Sequence, residues 1–263
     1  MNCKRSTLYT ALVAGSLLAL SPLHAQAASM HQFDVNAGDA DACPVLQSCL
    51  VNGFTLSTDS KLLTIKELDL LNGSTWRGIG ISADGQSGQN TLDPSQGEID
   101  VDERLDVSFS SAAVDYIDLS FLYQPGVFAD QVFEVAQVSS SAGSGTLSVT
   151  GDTSAIWTFG GQTFDAISLS PSTNGPRGGG SYRILNPFGD QAISSFSLNP
   201  IDNLLVNSFP DSDFTLTGVK VTVVAVPEPA TIGMLLGLGM LAGLGHIWSA
   251  SGATVFNSDN SQR

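Results

Sequence analysis

The sequence predicts an all-β protein: an antiparallel β-sandwich of the jelly-roll type, preceded by a signal peptide and followed by one transmembrane helix. Three observations predict this architecture. Between residues 28 and 225, short runs of alternating apolar and polar residues are separated by turns rich in Gly, Ser, Asn, Asp and Pro. That region has no convincing 3.6-residue period of the kind an amphipathic helix shows. Each end of the chain carries one continuous apolar segment.

The N-terminal segment has the three features of a secretory signal peptide. Two basic residues precede an apolar run at residues 8–20, and Ala25-Gln26-Ala27 offers a small-residue cleavage site. We expect cleavage after Ala27, so that residues 1–27 form the signal peptide; a retained membrane anchor is the alternative. Residues 28–225 then form the exported domain, which is long enough for one well-packed core.

The chain is strongly acidic, with 25 Asp and Glu against 10 Lys and Arg and a formal charge of −15. Because all the acidic residues follow Ala27 and two basic residues precede it, the mature chain carries a formal charge of −17. Such a surface repels nucleic acid and anionic lipid, and no basic patch offsets it. We therefore expect no nucleic-acid partner.

Two cysteines, Cys43 and Cys49, remain once the leader is removed. Export to an oxidising compartment favours a disulfide between them. Two free thiols are the alternative, and a pair of cysteines without histidines nearby is a poor zinc site.

The strand candidates follow one another along the exported domain. Residues 28–60 are interpreted as irregular, apart from a candidate strand at 51–56. The clearest strand is 98–109, where apolar and charged residues alternate with period two until Glu103 interrupts the apolar face. The other candidates are residues 62–71, 114–123, 132–138, 146–150, 156–159, 164–169, 182–185, 193–198 and 214–224.

The C-terminal apolar segment, residues 230–248, contains no Asp, Glu, Lys or Arg. A helix of this length spans roughly 28 Å, enough to cross a hydrocarbon core of about 30 Å. Lipid offers the main chain no hydrogen-bond partner, so the sequence predicts a transmembrane helix. Pro227 and Pro229 stop regular structure just before it, and residues 249–263 form a polar tail. A Gly-rich helix buried in a soluble core is the alternative.

Residues 226–248 combine Val226-Pro-Glu-Pro-Ala-Thr231 with the Gly- and Leu-rich span, and they resemble the PEP-CTERM sorting signal of bacterial exopolysaccharide-associated proteins. The resemblance implies recognition of Pro227, Glu228 and Pro229 by an exosortase, a membrane cysteine transpeptidase. It further implies an inner-membrane-anchored precursor whose exported domain is released to the cell surface or extracellular matrix. That family usually has an Arg/Lys cluster after the span, whereas this tail has one basic residue, Arg263.

A second passage resembles the same class of protein. Gly78-Ile-Gly-Ile81 is followed by Glu98-Ile-Asp100 and then by Glu103-Arg-Leu105 ahead of Phe109. A similar pattern recurs in the β-rich exported domains of PEP-CTERM proteins. The pattern supports the class and implies no reaction.

Few residues of the exported domain are suited to catalysis. Its one histidine, His31, lies near the new N-terminus, which is a poor place for the base of a Ser-His-Asp triad. The sequence also lacks an HExxH motif, a phosphate-binding loop and a dinucleotide fingerprint. We therefore predict a non-enzymatic protein. A secreted glycoside hydrolase is an alternative, because a pair of carboxylates suffices for that reaction. The available glutamates are Glu67, Glu98, Glu103 and Glu134.

Acidic loops offer oxygen ligands of the kind that calcium prefers. No cofactor is expected otherwise, and solvated acidic loops are the alternative. One candidate group surrounds the loop before the clearest strand and contains Asp84, Asp93, Glu98, Asp100 and Asp102. A second group contains Asp34, Asn36, Asp39 and Asp41.

Two aromatic residues beside arginines, Trp76 and Tyr182, are candidate platforms for a sugar ring. Packing in the core is the alternative for both. The sequence as a whole therefore predicts an exported, non-enzymatic surface or matrix protein associated with exopolysaccharide. A calcium-assisted carbohydrate-binding module of the same architecture is the alternative.

Overall fold

Alternating apolar residues and glycine-rich turns fold this chain into antiparallel strands. The computed structural model describes residues 29–69, 75–82, 97–100, 102–126, 132–169, 180–201 and 212–223. The predicted signal peptide, transmembrane helix and polar tail lie outside these residues. Within the described ranges, no helix has the length and apolar character needed to cross a bilayer.

The described part of the chain contains fourteen strands and one short 3-10 turn at Val35–Ala37. The strands are β1 (Met30–Asp34), β2 (Ser48–Val51), β3 (Phe54–Thr58), β4 (Leu62–Asp69), β5 (Thr75–Ser82), β6 (Leu105–Ser120), β7 (Val135–Ser140), β8 (Gly143–Gly151), β9 (Ser154–Phe159), β10 (Gln162–Asp165), β11 (Ile167–Ser168), β12 (Tyr182–Leu185), β13 (Ile193–Pro200) and β14 (Thr215–Thr222).

The long strand β6 belongs to two sheets. Its first half pairs with β3 and β13, and its second half pairs with β12 and β14. Sheet I runs β10-β9-β8-β7-β13-β6-β3-β2, and sheet II runs β11-β12-β6-β14-β5-β4, with β1 also beside β14. All of these pairings are antiparallel, so the all-β antiparallel prediction is confirmed.

Apolar side chains from both sheets meet in one core. The rings of Phe33 on β1 and Phe54 on β3 pack edge to face, with centroids 5.1 Å apart. Trp157 on β9 is buried and donates its indole N–H to the carbonyl of Pro187 at 3.2 Å. Each such aromatic side chain contributes roughly 1.5–3 kcal/mol on burial, so this core supplies most of the driving force for folding.

The other face of sheet II is also buried over part of its area. On β4, Leu63 and Ile65 enter the core, so Thr64 and Lys66 point to the opposite face, yet both are buried. Gly97 and Glu98 pack against Gly80 of β5, and Thr215 packs against Gly78. Ile81 of β5 also donates its N–H to the carbonyl of Glu98 at 3.0 Å. We call this region, around Lys66 and its strand neighbours, the covered face.

Two parts of the sequence form strands that the pattern did not indicate. The expectation that residues 28–60 are irregular apart from a strand at 51–56 is wrong in part: the predicted strand overlaps β3, but the region also contains β1 and the strand β2 of the β2–β3 hairpin. That hairpin turns at Asn52-Gly53, whose positive φ angles of 47° and 88° suit a tight two-residue turn. Strand β5 was also missed, since its two glycines weaken the strand signal.

The strand predicted at 98–109 differs in the structure. Glu103 donates its N–H to the carbonyl of Asp100 at 2.9 Å and Asp102 has φ 72°, so the chain turns between residue 99 and β6. Strand β6 then continues from Leu105 to Ser120, so it joins parts of two predicted strands. The prediction at 182–185 matches β12, and most of the remaining predicted strands overlap observed ones with shifted ends.

Candidate functional site

A buried lysine and two buried carboxyl groups meet on the covered face. Nζ of Lys66 lies 3.5 Å from Oε2 of Glu98, and the two side chains are only 8% and 3% exposed. Ile99 pairs with Phe214 in an isolated antiparallel bridge. Because side chains alternate along paired segments, Glu98 and the buried Asp213 face the same side of this bridge.

The surroundings of Glu98 favour its protonated form. Burial raises the pKa of this carboxyl well above its ordinary value, and the negative charge of Asp213 raises it further. The charge of Lys66 acts in the opposite direction, and Asp100 adds to the increase. A carboxyl group that resists ionisation therefore lies next to a buried amine.

Glu103 closes the turn that precedes β6. Its Oε1 lies 2.5 Å from Nζ of Lys61, and its Oε2 accepts the N–H of Asp100 at 2.8 Å. The glutamate that interrupts the sequence pattern is thus buried and stabilises the turn.

The first predicted calcium group is only partly described. Asp84 and Asp93 lie outside the described residues, Glu98 pairs with Lys66, and Asp102 is exposed at the turn. Among the residues that the structure describes, no three His, Cys, Asp or Glu side chains are grouped so as to hold a metal ion.

The second acidic group stabilises its own loop and one arginine. Oδ1 of Asp34 accepts the N–H of Asn36, and Oδ2 of Asp39 accepts the N–H of Asp34, both at 2.9 Å. Asp41 lies 2.7 Å from Nη2 of Arg77. These carboxylate oxygens therefore already accept hydrogen bonds, or form an ion pair, with groups of the protein itself.

All four glutamates of the exported domain have partners. Glu67 forms an ion pair with Arg77 at 2.8 Å, and Glu98 and Glu103 pair with lysines as described above. The fully buried Glu134 accepts the main-chain N–H of Tyr123. Three of the four are buried, which limits their access to a polymeric substrate.

The two predicted aromatic platforms differ in exposure. Trp76 is partly buried on the outer face of sheet II and packs against Phe121 and Tyr123. Tyr182 is completely buried, so the expectation of an exposed ring there is wrong. Alternation along β12 explains this: Tyr182 points into the core, and Arg183 points outward.

A surface arrangement that the sequence did not indicate surrounds Arg183. Nε and Nη2 of Arg183 each lie 2.7 Å from a carboxylate oxygen of Asp118, and its Cζ lies 3.7 Å from the ring centroid of Tyr116. Ile167, which pairs with Arg183, and Leu185 are both exposed. We call these five residues the arginine platform. Its members come from three strands, so no local pattern could have identified it.

Cys43 and Cys49 form a disulfide, the pairing that the sequence predicts, with Cα atoms 5.3 Å apart. The loop between them contacts β4 through two main-chain hydrogen bonds between Val45, Leu46 and Leu63. The disulfide therefore holds the β2–β3 hairpin beside β4.

A family model of the PEP-CTERM protein-sorting motif matches residues 225–246. The matched segment begins shortly after β14 and includes Pro227, Glu228 and Pro229, which lie outside the described residues. This motif indicates a protein that an exosortase sorts to the cell exterior. No curated protein and no solved structure matches the chain.

Proposed function

We propose that this chain is a non-enzymatic protein of the cell surface or extracellular matrix that associates with exopolysaccharide. The observation that carries this proposal is the sorting motif at residues 225–246. Residues 1–27 act as the signal peptide, and residues 230–248 hold the precursor in the inner membrane until an exosortase cuts near Pro227-Glu228-Pro229.

The exported domain is proposed to be a β-sandwich of the jelly-roll type. Support comes from the two sheets that share β6 and from side chains of both sheets that contact in one core, as in the Phe33–Phe54 pair. Such a body suits a structural or adhesive role, because its sheet faces offer broad and rigid surfaces.

The burial and the bonded contacts of the glutamates support a role without catalysis. Glu98, Glu103 and Glu134 are buried and bound, and the one histidine of the domain, His31, lies in the first strand. Glycoside hydrolysis needs two carboxyl groups on either side of an accessible sugar bond. The partners of these glutamates favour structural roles instead.

The arginine platform is the proposed contact with polysaccharide. Arg183 is fixed by Asp118 and Tyr116, so binding costs little further side-chain entropy. Sugars combine hydroxyl groups with apolar ring faces, and the platform offers polar groups beside the exposed Ile167 and Leu185. Because the chain carries a net charge of −15, a neutral glycan fits this surface better than an acidic one.

Sorting is tested with the full-length chain in cells with and without an exosortase. We expect release of a shortened product in the first and membrane retention in the second. Glu228→Ala should retain the precursor in both, whereas Asp259→Ala, which removes a carboxylate from the tail, should leave release unchanged. Equal retention of the wild type in both cell types would contradict processing.

Polysaccharide association is tested with the released protein and exopolysaccharide purified from the same cells. Arg183→Ala should weaken co-sedimentation several-fold. Arg104→Ala is the matched control, because Arg104 is also a surface arginine paired with an aspartate, Asp106 at 2.6 Å. Loss of binding on chelation of calcium would favour the calcium-assisted module. Release of new reducing ends would contradict the non-enzymatic role.

A further inference from the structure

We propose that Lys66 and Glu98 condense into an intramolecular amide, an isopeptide bond that joins β4 to the segment before β6. The inference concerns only the folded β-strand domain, and it holds whether or not the sorting proposal is correct. It starts from the 3.5 Å contact between Nζ of Lys66 and Oε2 of Glu98. The structure shows the two groups as a non-bonded pair, which is the arrangement from which the bond forms.

Lys66 lies on strand β4, and the segment that carries Glu98 packs against strand β5. Lys66 is in register with Gly78 on β5, and the main chain of residues 97–98 lies directly over Gly80 two residues further on. A Cβ atom at Gly80 would come within 1.9 Å of the carbonyl oxygen of Gly97. Fixed proximity of this kind can replace a large part of the entropic barrier to a bimolecular reaction.

The reaction needs no external reagent. Transfer of a proton within the ion pair gives a neutral amine and a neutral carboxylic acid. The nitrogen of Lys66 attacks Cδ of Glu98, the C–O bond to the hydroxyl group breaks, and one water leaves. The amine loses one proton on forming the amide, and that proton leaves with the hydroxyl group. Oxidation states do not change.

Burial favours the products of this step. Two charges inside a protein cost several kcal/mol of desolvation each, and the ion pair recovers that cost only in part. An amide carries no net charge, so condensation removes this penalty. The raised pKa of Glu98 agrees with this description, because only the protonated acid can lose a hydroxyl group as water.

Asp213 is the proposed proton carrier. It is buried, faces the same side of the Ile99–Phe214 bridge as Glu98, and interacts with Glu98 electrostatically. A carboxylate there can accept the proton of the attacking amine and deliver it to the departing hydroxyl group.

A second Lys–Glu pair in the same region provides an internal control. Lys61 and Glu103 are closer, at 2.5 Å, but the Lys61 side chain is 43% exposed. Water solvates that ion pair, so condensation there would relieve little of the desolvation penalty that burial imposes on Lys66 and Glu98. The proposal therefore assigns a bond to the buried pair and an ordinary ion pair to the exposed one.

The test is mass spectrometry of the reduced full-length chain expressed in bacteria. We expect an intact mass lower than the sequence mass of the same chain by one water. Trypsin should not cleave after Lys66, so residues 62–77 should be recovered joined to residues 78–104. Recovery of free peptide 62–66 together with an unaltered intact mass would overturn the proposal. A link from Lys66 to Asp213 instead would overturn the assignment of Glu98.

Variants test the assigned roles. Lys66→Arg keeps the positive charge but should abolish the mass difference, whereas Lys61→Arg should retain it. Asp213→Asn should leave most molecules unlinked, and full linkage in this variant would overturn the role of Asp213. The wild-type mass decides the main proposal even where a variant fails to fold. The isopeptide bond does not depend on where the protein is located. The proposal of this bond can therefore fail while exosortase-dependent release succeeds.

Discussion

Replacing Gly80 by alanine is expected to destabilise the protein strongly. A Cβ atom at this position would lie 1.9 Å from the carbonyl oxygen of Gly97 and 2.8 Å from Cα of Glu98. Both contacts are with main-chain atoms, which cannot rotate away as a side chain can. Residues 97–100 must therefore move off β5, and the covered face opens.

The expected loss in the free energy of unfolding has two contributions. Overpacking in a well-packed region costs about 1–3 kcal/mol. Moving the segment also weakens two main-chain hydrogen bonds, from Ile81 to Glu98 at 3.0 Å and from Ile99 to Phe214 at 2.7 Å, at about 1 kcal/mol each. The sum, about 3–5 kcal/mol, is a large part of the 5–15 kcal/mol that is typical of a whole domain.

The assay is urea unfolding followed by tryptophan fluorescence, with the free energy of unfolding as the measured quantity. Gly151→Ala is the matched control, since its close neighbour is the hydroxyl oxygen of Ser154 at 2.8 Å, which can rotate away. We expect this control to cost less than about 1 kcal/mol. If Gly80→Ala costs no more than Gly151→Ala, the described packing of residues 97–100 on β5 is wrong.

Three further predictions concern other parts of the fold. Replacing Cys43 and Cys49 by alanine should lower the free energy of unfolding by about 2 kcal/mol, since the disulfide closes a short loop; an unchanged urea midpoint would argue against the bond. Burial raises the pKa of Tyr182 to about 12, above its ordinary value of 10, so the stability it contributes is complete below pH 10 and lost as the pH rises towards 12. Tyr182→Phe should therefore show a smaller fall in unfolding free energy over that pH range, and identical curves would contradict this reasoning. Arg183→Lys should cost about 1–2 kcal/mol in the same urea assay, because lysine cannot reproduce the two-point contact with Asp118; a neutral effect would show that the contact contributes little.

The sequence predicted those strands whose side chains alternate between one core and solvent. Tyr182 to Leu185 is such a segment, and its bounds match β12. Strand β5 escaped this reasoning because its outer face carries Gly78 and Gly80 where a polar residue would be expected. Those glycines are required by Thr215 and by the Gly97 main chain, which lie far away in sequence.

The position of Glu98 could not be predicted for the same reason. Its place in an alternating pattern suggested an exposed charged face, but Glu98 is buried and interacts with Asp213, which lies more than a hundred positions later. The sequence also identified Gly78-Ile-Gly-Ile81 and Glu98-Ile-Asp100 as one pattern. The structure gives the physical basis of that pattern, since Ile79, Ile81 and Ile99 enter the core while Gly80 leaves room for the main chain of Gly97 and Glu98.

The place of β14 affects the timing of folding during export. This strand is the last of the described domain, yet it lies between β6 on one side and β1 and β5 on the other. An exported polypeptide crosses the membrane beginning with its N-terminus. The earlier strands therefore emerge before β14 can occupy its position in sheet II, between β6 on one side and β1 and β5 on the other. On the proposed export route, sheet II is complete only after residues 215–222 have crossed. On this route, the sorting motif would therefore reach the membrane just after the strand that completes sheet II has crossed it.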